Sequence, residues 1–279
     1  MREKIMKAGC FAAAALSVIS VILIAFFLFW NGIPAIHEIG LFHFLFGKLW
    51  RPGSGDFGIF PMIAGSIYVT GLAILFGVPL GVLSAVFLSY YSKAKMYRIV
   101  KPMMELLAGI PSIIYGLFGL TVIVPAMQVL FPGTSGKSVL SASLLLSIMI
   151  LPTIITVSES SLRAVDESIY TGAMALGATK EISVFTAVLP AARSGVISAV
   201  VLGVGRAIGE TMAVIMVAGN QAVLPSSITR GVRTLTANIV LEMGYATDLH
   251  RGALIGTGVV LFVFILIINI SFSALRRDR

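Results

Sequence analysis

Two charged side chains, Arg206 and Glu210, stand in the run Gly203-Val204-Gly205-Arg206-Ala207-Ile208-Gly209-Glu210-Thr211, inside an otherwise apolar stretch from Gly195 to Gly219. At about 1.5 Å of rise per residue, that stretch as a helix crosses a hydrocarbon layer of about 30 Å. Both charges then fall near its middle, where a bare charge is costly. Four residues apart, they project from the same helix face and can partly neutralise each other. Gly205 and Gly209 beside them let another backbone approach closely. Two readings follow. The residues form a structural ion pair joining two helices, or Arg206 faces a path for an anion. An arginine holds its charge at any accessible pH and offers a planar fork to oxyanion oxygens. A glutamate nearby keeps such a site from gripping the anion too tightly, and conduction needs release as well as binding.

Other arrangements that would do chemistry fail on context. Phe131-Pro132-Gly133-Thr134-Ser135-Gly136-Lys137-Ser138 ends like a nucleotide phosphate loop, but Phe131 stands where the first glycine belongs and no strand precedes it. The glycines from Gly203 to Gly209 have one residue too many for a dinucleotide fingerprint, so helix packing is their expected role. Single Cys10 excludes an internal disulfide, and His37, His43 and His250 lack metal-ligand spacing. No nucleophile and base, paired-carboxylate or cofactor motif appears, so no catalytic residue, metal or cofactor is expected. Glu105 lies about a turn into another apolar run. It either pairs with Lys101 or snorkels to the interface, or, with Pro111, helps build an inner gate.

The elements that must carry these residues are membrane helices. The chain of 279 residues is 58% hydrophobic and 11% charged, with a mean hydropathy of +1.02, which identifies an integral membrane protein with an all-α bundle. Six apolar runs read as spans, near 8–30, 62–90, 100–130, 138–158, 195–219 and 253–274. The whole chain, 1–279, is expected to form one transmembrane domain. Gly77-Val78-Pro79, Gly109-Ile110-Pro111 and Pro152 should bend or break the second, third and fourth spans. The net charge of +8 does not imply nucleic acid, because the basic residues cluster between apolar runs. Lys and Arg number 13 in the N-terminus, second and fourth connections and C-terminus, against six in the remaining connections. Both termini are therefore expected to be cytoplasmic, as an even number of spans requires. The N-terminus reads as an uncleaved first helix behind Arg2, Lys4 and Lys7.

Three connections are long. Residues 31–61 and 220–252 fall outside, the first rich in Gly, Pro and aromatic residues. Arg230 and Arg233 in the second are either solvated charges or contacts for an external partner. Residues 159–193 fall inside and mix charges with apolar residues at helical spacing. They read as a helix-turn-helix, with Gly177 at the turn and Leu189-Pro190 ending the second helix. Ala173, Leu176, Ile182, Val188 and Leu189 supply its apolar surface. A membrane chain without a nucleotide site that displays such a loop suggests a separate docked partner; the alternative is an ordinary solvated connection.

Thr171-Gly172-Ala173-Met174-Ala175-Leu176-Gly177, with Ala187-Val188-Leu189-Pro190, resembles the EAA loop of binding-protein-dependent ABC importer permeases. Ala173, Gly177, Leu189 and Pro190 match the family pattern. Thr171, Gly172 and Ala187 replace its Glu, second Ala and Ile. Phe57-Gly58-Ile59-Phe60-Pro61-Met62 and Gly205-Arg206-Ala207-Ile208-Gly209-Glu210-Thr211-Met212-Ala213 resemble phosphate-specific permease subunits of the PstC type, and Leu106-Leu107-Ala108-Gly109-Ile110-Pro111-Ser112 is similar to both phosphate permease subunits. That resemblance implies a type I importer permease that performs no chemistry itself and sits as a multi-pass protein in a bacterial or archaeal inner membrane. It implies as partners a PstA-like second permease subunit, two copies of a cytosolic ATPase and an external phosphate-binding protein, with lipid around the bundle. It also implies that Arg206 faces the translocation path with Glu210 as charge partner and Thr211 beside them. Thr171, Ala173, Gly177, Leu189 and Pro190 would couple the chain to the ATPase. The rivals are a permease for molybdate or sulfate, and an ion-gradient-driven secondary transporter using Glu105 and Glu210 as proton carriers.

Overall fold

The computed structural model describes residues 2–277, and it is a helical bundle with one small hairpin. Helix α1 (Arg2–Ile39) is longer than the expected first span and runs through Pro34. After α2 (Leu41–Phe46), β1 (Trp50–Arg51) and β2 (Asp56–Phe57) pair antiparallel, with Trp50 opposite Phe57. Helix α3 (Phe60–Val86) continues uninterrupted through Pro79 into a π turn, Phe87–Tyr91. Helix α7 (Val139–Arg163) likewise runs through Pro152.

The expected third span divides. Helix α4 (Ala94–Gly109) ends before Ile110, which is extended, and α5 (Ser112–Phe118) restarts after Pro111. A residue before proline is pushed out of the α region, and proline has no N–H to continue the ladder. A π turn, Gly119–Ile123, leads into α6 (Val124–Leu130), so Ser112–Leu130 is the apolar segment long enough to span. Residues 100–109 belong instead to a separate amphipathic helix.

Between α7 and the fifth span lies the helix-turn-helix. Helix α8 (Glu167–Ala175) is capped by Asp166, whose carboxylate accepts from the Ser168 N–H at 2.8 Å. Gly177 takes φ +88°, the left-handed conformation that a glycine adopts without steric cost. Helix α9 (Lys180–Ser183), capped by the Thr179 hydroxyl, continues through a π turn, Val184–Val188, into α10 (Leu189–Ala191). There the chain bends by 72° into α11 (Arg193–Gly209). The fifth span also divides: α12 (Met212–Val217) is separated from α11 by Glu210 and Thr211. Helices α13 (Leu235–Glu242) and α14 (Asp248–Arg277) complete the chain. Among the described residues, five helices are long and apolar enough to cross a membrane alone, and the bent pair Lys180–Ala191 with Arg193–Gly209, taken as one span, makes a sixth.

Helix α7 is the axis of the bundle, flanked by α3 and α11. Ile154 fits between two glycines: a Cβ on Gly81 would lie 2.7 Å from its Cγ2, and one on Gly203 2.9 Å from its Cγ1. Lipid does not drive helices together, so such small-residue contacts, which maximise dispersion, hold them. Helix α1 meets α14 in the same way at Gly32 and Gly256. At one end Phe44, Trp50, Phe57, Leu235 and Leu254 form an apolar cap over the bundle. At the other, Val184 and Val188 pack with Val86 and Leu162, tying the helix-turn-helix to the ends of α3 and α7.

Candidate functional site

Arg206 sits in the last turn of α11, half-buried, where the carbonyl end of a helix favours a cation. Its Nη1 donates to Thr153 Oγ1 at 3.3 Å. Thr153 lies near the middle of α7, so the arginine is at mid-depth in the bundle. The expected pairing with Glu210 is not formed: among the described residues, no carboxylate lies within ion-pair distance of Arg206. The reason is local. Glu210 is extended rather than helical, so the two side chains do not share a continuous helix face. Its Oε1 accepts from the N–H groups of Thr211 and Ala213, each at 3.1 Å, and thereby caps α12. Its backbone carbonyl accepts from the Thr236 hydroxyl at 3.2 Å, which anchors the break to α13. Thr211 is half-buried at the break and donates to the Gly209 carbonyl at 3.2 Å.

The two interruptions of the apolar helices lie together. Helix α5, which starts after Pro111, packs on α12, which starts after Glu210. At Gly116 a Cβ would be 3.0 Å from the Ala213 Cα and 2.6 Å from the Met216 sulfur. The Tyr115 hydroxyl spans the first break, donating to the Leu107 carbonyl at 2.8 Å. Non-helical backbone inside a membrane bundle is tolerated where protein or a water-filled cavity satisfies it. Paired helix breaks are a construction by which transporters build ion and substrate sites. Gly205 and Gly209 do not carry packing within this chain, since a Cβ on either would meet nothing within 4 Å. Gly203, one helix face away, does.

Glu105 is exposed on α4 and does not take Lys101. Lys101 Nζ binds Glu159 Oε2 at 3.1 Å instead, Tyr97 donates its hydroxyl to Glu159 Oε1 at 3.0 Å, and Arg163 also pairs with Glu159. Glu159 is buried, and an uncompensated buried carboxylate costs far more than an exposed one, so it collects the cations. Arg163 was within reach of sequence reasoning as an i, i+4 neighbour; Lys101, 58 positions away, was not.

Of the helix-turn-helix residues, Thr171 is exposed, with its hydroxyl on the Glu167 carbonyl at 3.0 Å, and Ala173 is half-buried. Val188 and Leu189 turn into the bundle, while Leu176 is 91% exposed and Ile182 51%. The apolar surface expected as one face is thus split, half as anchor and half open. Pro190 is exposed near the 72° bend. Arg233, expected at a surface, is committed inward. It donates from Nη1 to Glu242 Oε1 at 2.5 Å and to Asn238 at 3.0 Å, and from Nε to the Asn220 carbonyl at 3.0 Å. Glu242 Oε2 also meets Trp50 Nε1 at 2.8 Å and His250 Nε2 at 2.9 Å. Arg230 remains exposed. No group of three or more metal-ligating side chains occurs among the described residues.

An apolar bundle with paired helix breaks around a mid-depth arginine, anchored to a helix-turn-helix at one end, defines a membrane transport subunit. The chain belongs to the family of binding-protein-dependent transport system inner membrane components, whose model matches residues 77–279. It is 36% identical over 274 residues to the probable ABC transporter permease protein YqgH of Bacillus subtilis, covering 95% of this chain and 89% of that protein. It is 37% identical over 272 residues to the phosphate transport system permease protein PstC of Xylella fastidiosa, covering 90% and 83%. Its fold is similar to an inward-facing MetNI methionine ABC transporter chain, with a TM-score of 0.64 and 21% identity over 82% of this chain and 98% of that one. It is therefore a multi-pass inner-membrane permease subunit rather than an enzyme, and its family implies an ATPase and a substrate-binding protein as partners.

Proposed function

We propose that this chain forms half of the translocation path of an ATP-driven phosphate importer. The observation that carries the reading is Arg206: a half-buried guanidinium at mid-depth, bound to a neutral threonine hydroxyl and beside two helix breaks. A cation without a carboxylate partner in a low-dielectric interior favours a passing anion. The names of the relatives in Xylella fastidiosa and Mesorhizobium japonicum make that anion phosphate. Glu210, fixed as the cap of α12, supplies negative charge near the path, and Thr211 a hydroxyl.

In this reading both termini and residues 159–193 face the cytosol, as the distribution of Lys and Arg supports. Two copies of a cytosolic ATPase engage the complex, one of them docking on Thr171, Ala173 and the exposed Leu176 and Ile182 of this chain. Its closure pushes on α8 to α10, with Gly177 setting their angle and Leu189 and Pro190 passing the motion to α11. Val184 and Val188 pass it to α3 and α7. The break at Pro111, with Glu105 on the helix before it, serves as the inner gate. A PstA-like subunit covers the open glycines Gly205 and Gly209 and completes the path, and an external phosphate-binding protein delivers the anion to the opposite end.

The test is uptake of labelled phosphate by the reconstituted complex. Arg206→Gln should abolish it, and Arg206→Lys should impair it, while the complex still assembles. Parental uptake by Arg206→Gln would overturn the path role. Competition by molybdate or sulfate equal to that by phosphate would overturn the substrate.

A further inference from the structure

We propose that the groove between α3 and α4 is a binding site for an acidic phospholipid. Its floor is apolar: Leu80, Leu83 and Phe87 line it from α3 and the following π turn, and Met96, Val100 and Met104 from α4. A second hollow, lined by Lys93 and Lys95 together with Ile99, shares Met96 and Val100 with the first. The two hollows share those two side chains and so lie side by side around the first turns of α4, an apolar trough whose edge, its mouth, carries Lys93 and Lys95.

Three features of that mouth select an anion. Lys93, Lys95 and Arg98 are all exposed, and none of them forms an ion pair among the described residues. No acidic residue precedes Glu105 in α4. The N-cap residue, Lys93, offers no side-chain cap, and the first turn contains no acidic residue, so the positive end of a 16-residue helix also faces this mouth. A free oxyanion would use the mouth and gain nothing from the trough. A zwitterionic lipid would use the trough but bring a cation of its own to the mouth, which offsets what its phosphate gains there. A phospholipid with a net negative headgroup uses both, its acyl chains along Leu83 and Met104 and its phosphate at Lys93 and Lys95. Helix α4 is also the helix whose far end is the Pro111 break, and Lys101 and Tyr97 hold it to Glu159. A lipid in this groove would sit against a helix that leads to the path, without touching Arg206.

Native mass spectrometry of the full-length chain, titrated with phosphatidylglycerol and with phosphatidylcholine, tests the proposal. The parent should bind phosphatidylglycerol preferentially, and millimolar inorganic phosphate should not displace it. Lys93→Gln with Lys95→Gln should lose that preference by on the order of thirtyfold, from about 1 kcal/mol per lysine at an anionic lipid surface, with phosphatidylcholine binding unchanged. Leu83→Trp, which fills the trough, should weaken both lipids, and Lys48→Gln, the same loss of charge elsewhere, should weaken neither. Equal binding of the two lipids to the parent, an undiminished preference in the double-lysine variant, or displacement by inorganic phosphate would each overturn it. So would a cross-link from position 83 to a partner subunit in the assembled complex in place of lipid.

Discussion

At the scale of single residues, the charges of this chain are distinguished by what holds them. Arg206 rests on a hydroxyl, so its orientation depends on Thr153. A hydrogen bond to a charged group contributes about 1.5 kcal/mol or more. Thr153→Val should therefore lower phosphate uptake efficiency by about tenfold, chiefly through KM, and Thr153→Ser should restore it. Glu210 is held by two backbone amides. Glu210→Gln keeps an oxygen to cap α12 and removes the charge, whereas Glu210→Ala removes both and should cost about 1 kcal/mol of stability. A transport defect shared by both variants would report the charge; thermal unfolding of the detergent-solubilised protein separates out the cap. Asp166 is held by Ser168: the hydrogen bond from its side chain, with the one from its backbone N–H, keeps the carboxyl below its ordinary range. The depressed value means that the cap is fully formed above the ordinary carboxylate pKa and is lost as pH falls through the folded-state value. Proteolytic nicking of α8 should then increase only in acid, and Asp166→Asn, which caps without titrating, should remove that dependence.

At the scale of elements, the helix-turn-helix has one face fixed and the other free, as the lever proposed for it requires. Val184 and Val188 are completely buried against α3 and α7, while Leu176 projects outward. Its geometry turns on Gly177 at φ +88°. A β-branched residue there is strained by about 1–2 kcal/mol. Gly177→Val should leave the bundle folded but lower the ATP hydrolysis stimulated by the binding protein several-fold; unchanged stimulation would show that the angle between α8 and α9 does not matter. The signal for this loop was legible because capping residues and a turn glycine are local features. The break of the fifth span was not. Glycine, glutamate and threonine inside an apolar run read equally as a continuous helix, and the choice was made by Glu210 finding amides and Thr236 finding the freed carbonyl. The break at Pro111 was legible, because proline acts on its own backbone.

At the scale of the whole molecule, the bundle is closed at one end by a buried polar junction. Glu242 gathers Arg233, His250 and Trp50, joining the hairpin of β1 and β2 to α13, the start of α14 and the preceding loop. Removing one partner from a buried ion pair strands the other, at about 3 kcal/mol or more. Glu242→Ala should lower the thermal midpoint of the solubilised chain markedly, while Arg230→Ala, at an exposed position, should not move it; equal midpoints would place the junction's contribution elsewhere. The amino-acid order was enough to establish that this is a helical membrane bundle, where its charges lie along the chain, and that a helix-turn-helix follows the long helix ending at Arg163. Those properties are sums over neighbouring residues and need no partner to be known. Only the tertiary structure decided that Lys101 serves Glu159 rather than Glu105, that Gly203 rather than Gly205 packs against α7, and that Arg206 stands apart from Glu210 beside two helix breaks. Each of these depends on which face meets which across tens of residues, and the energetic rule that buried charge must be satisfied acts only once the faces have met.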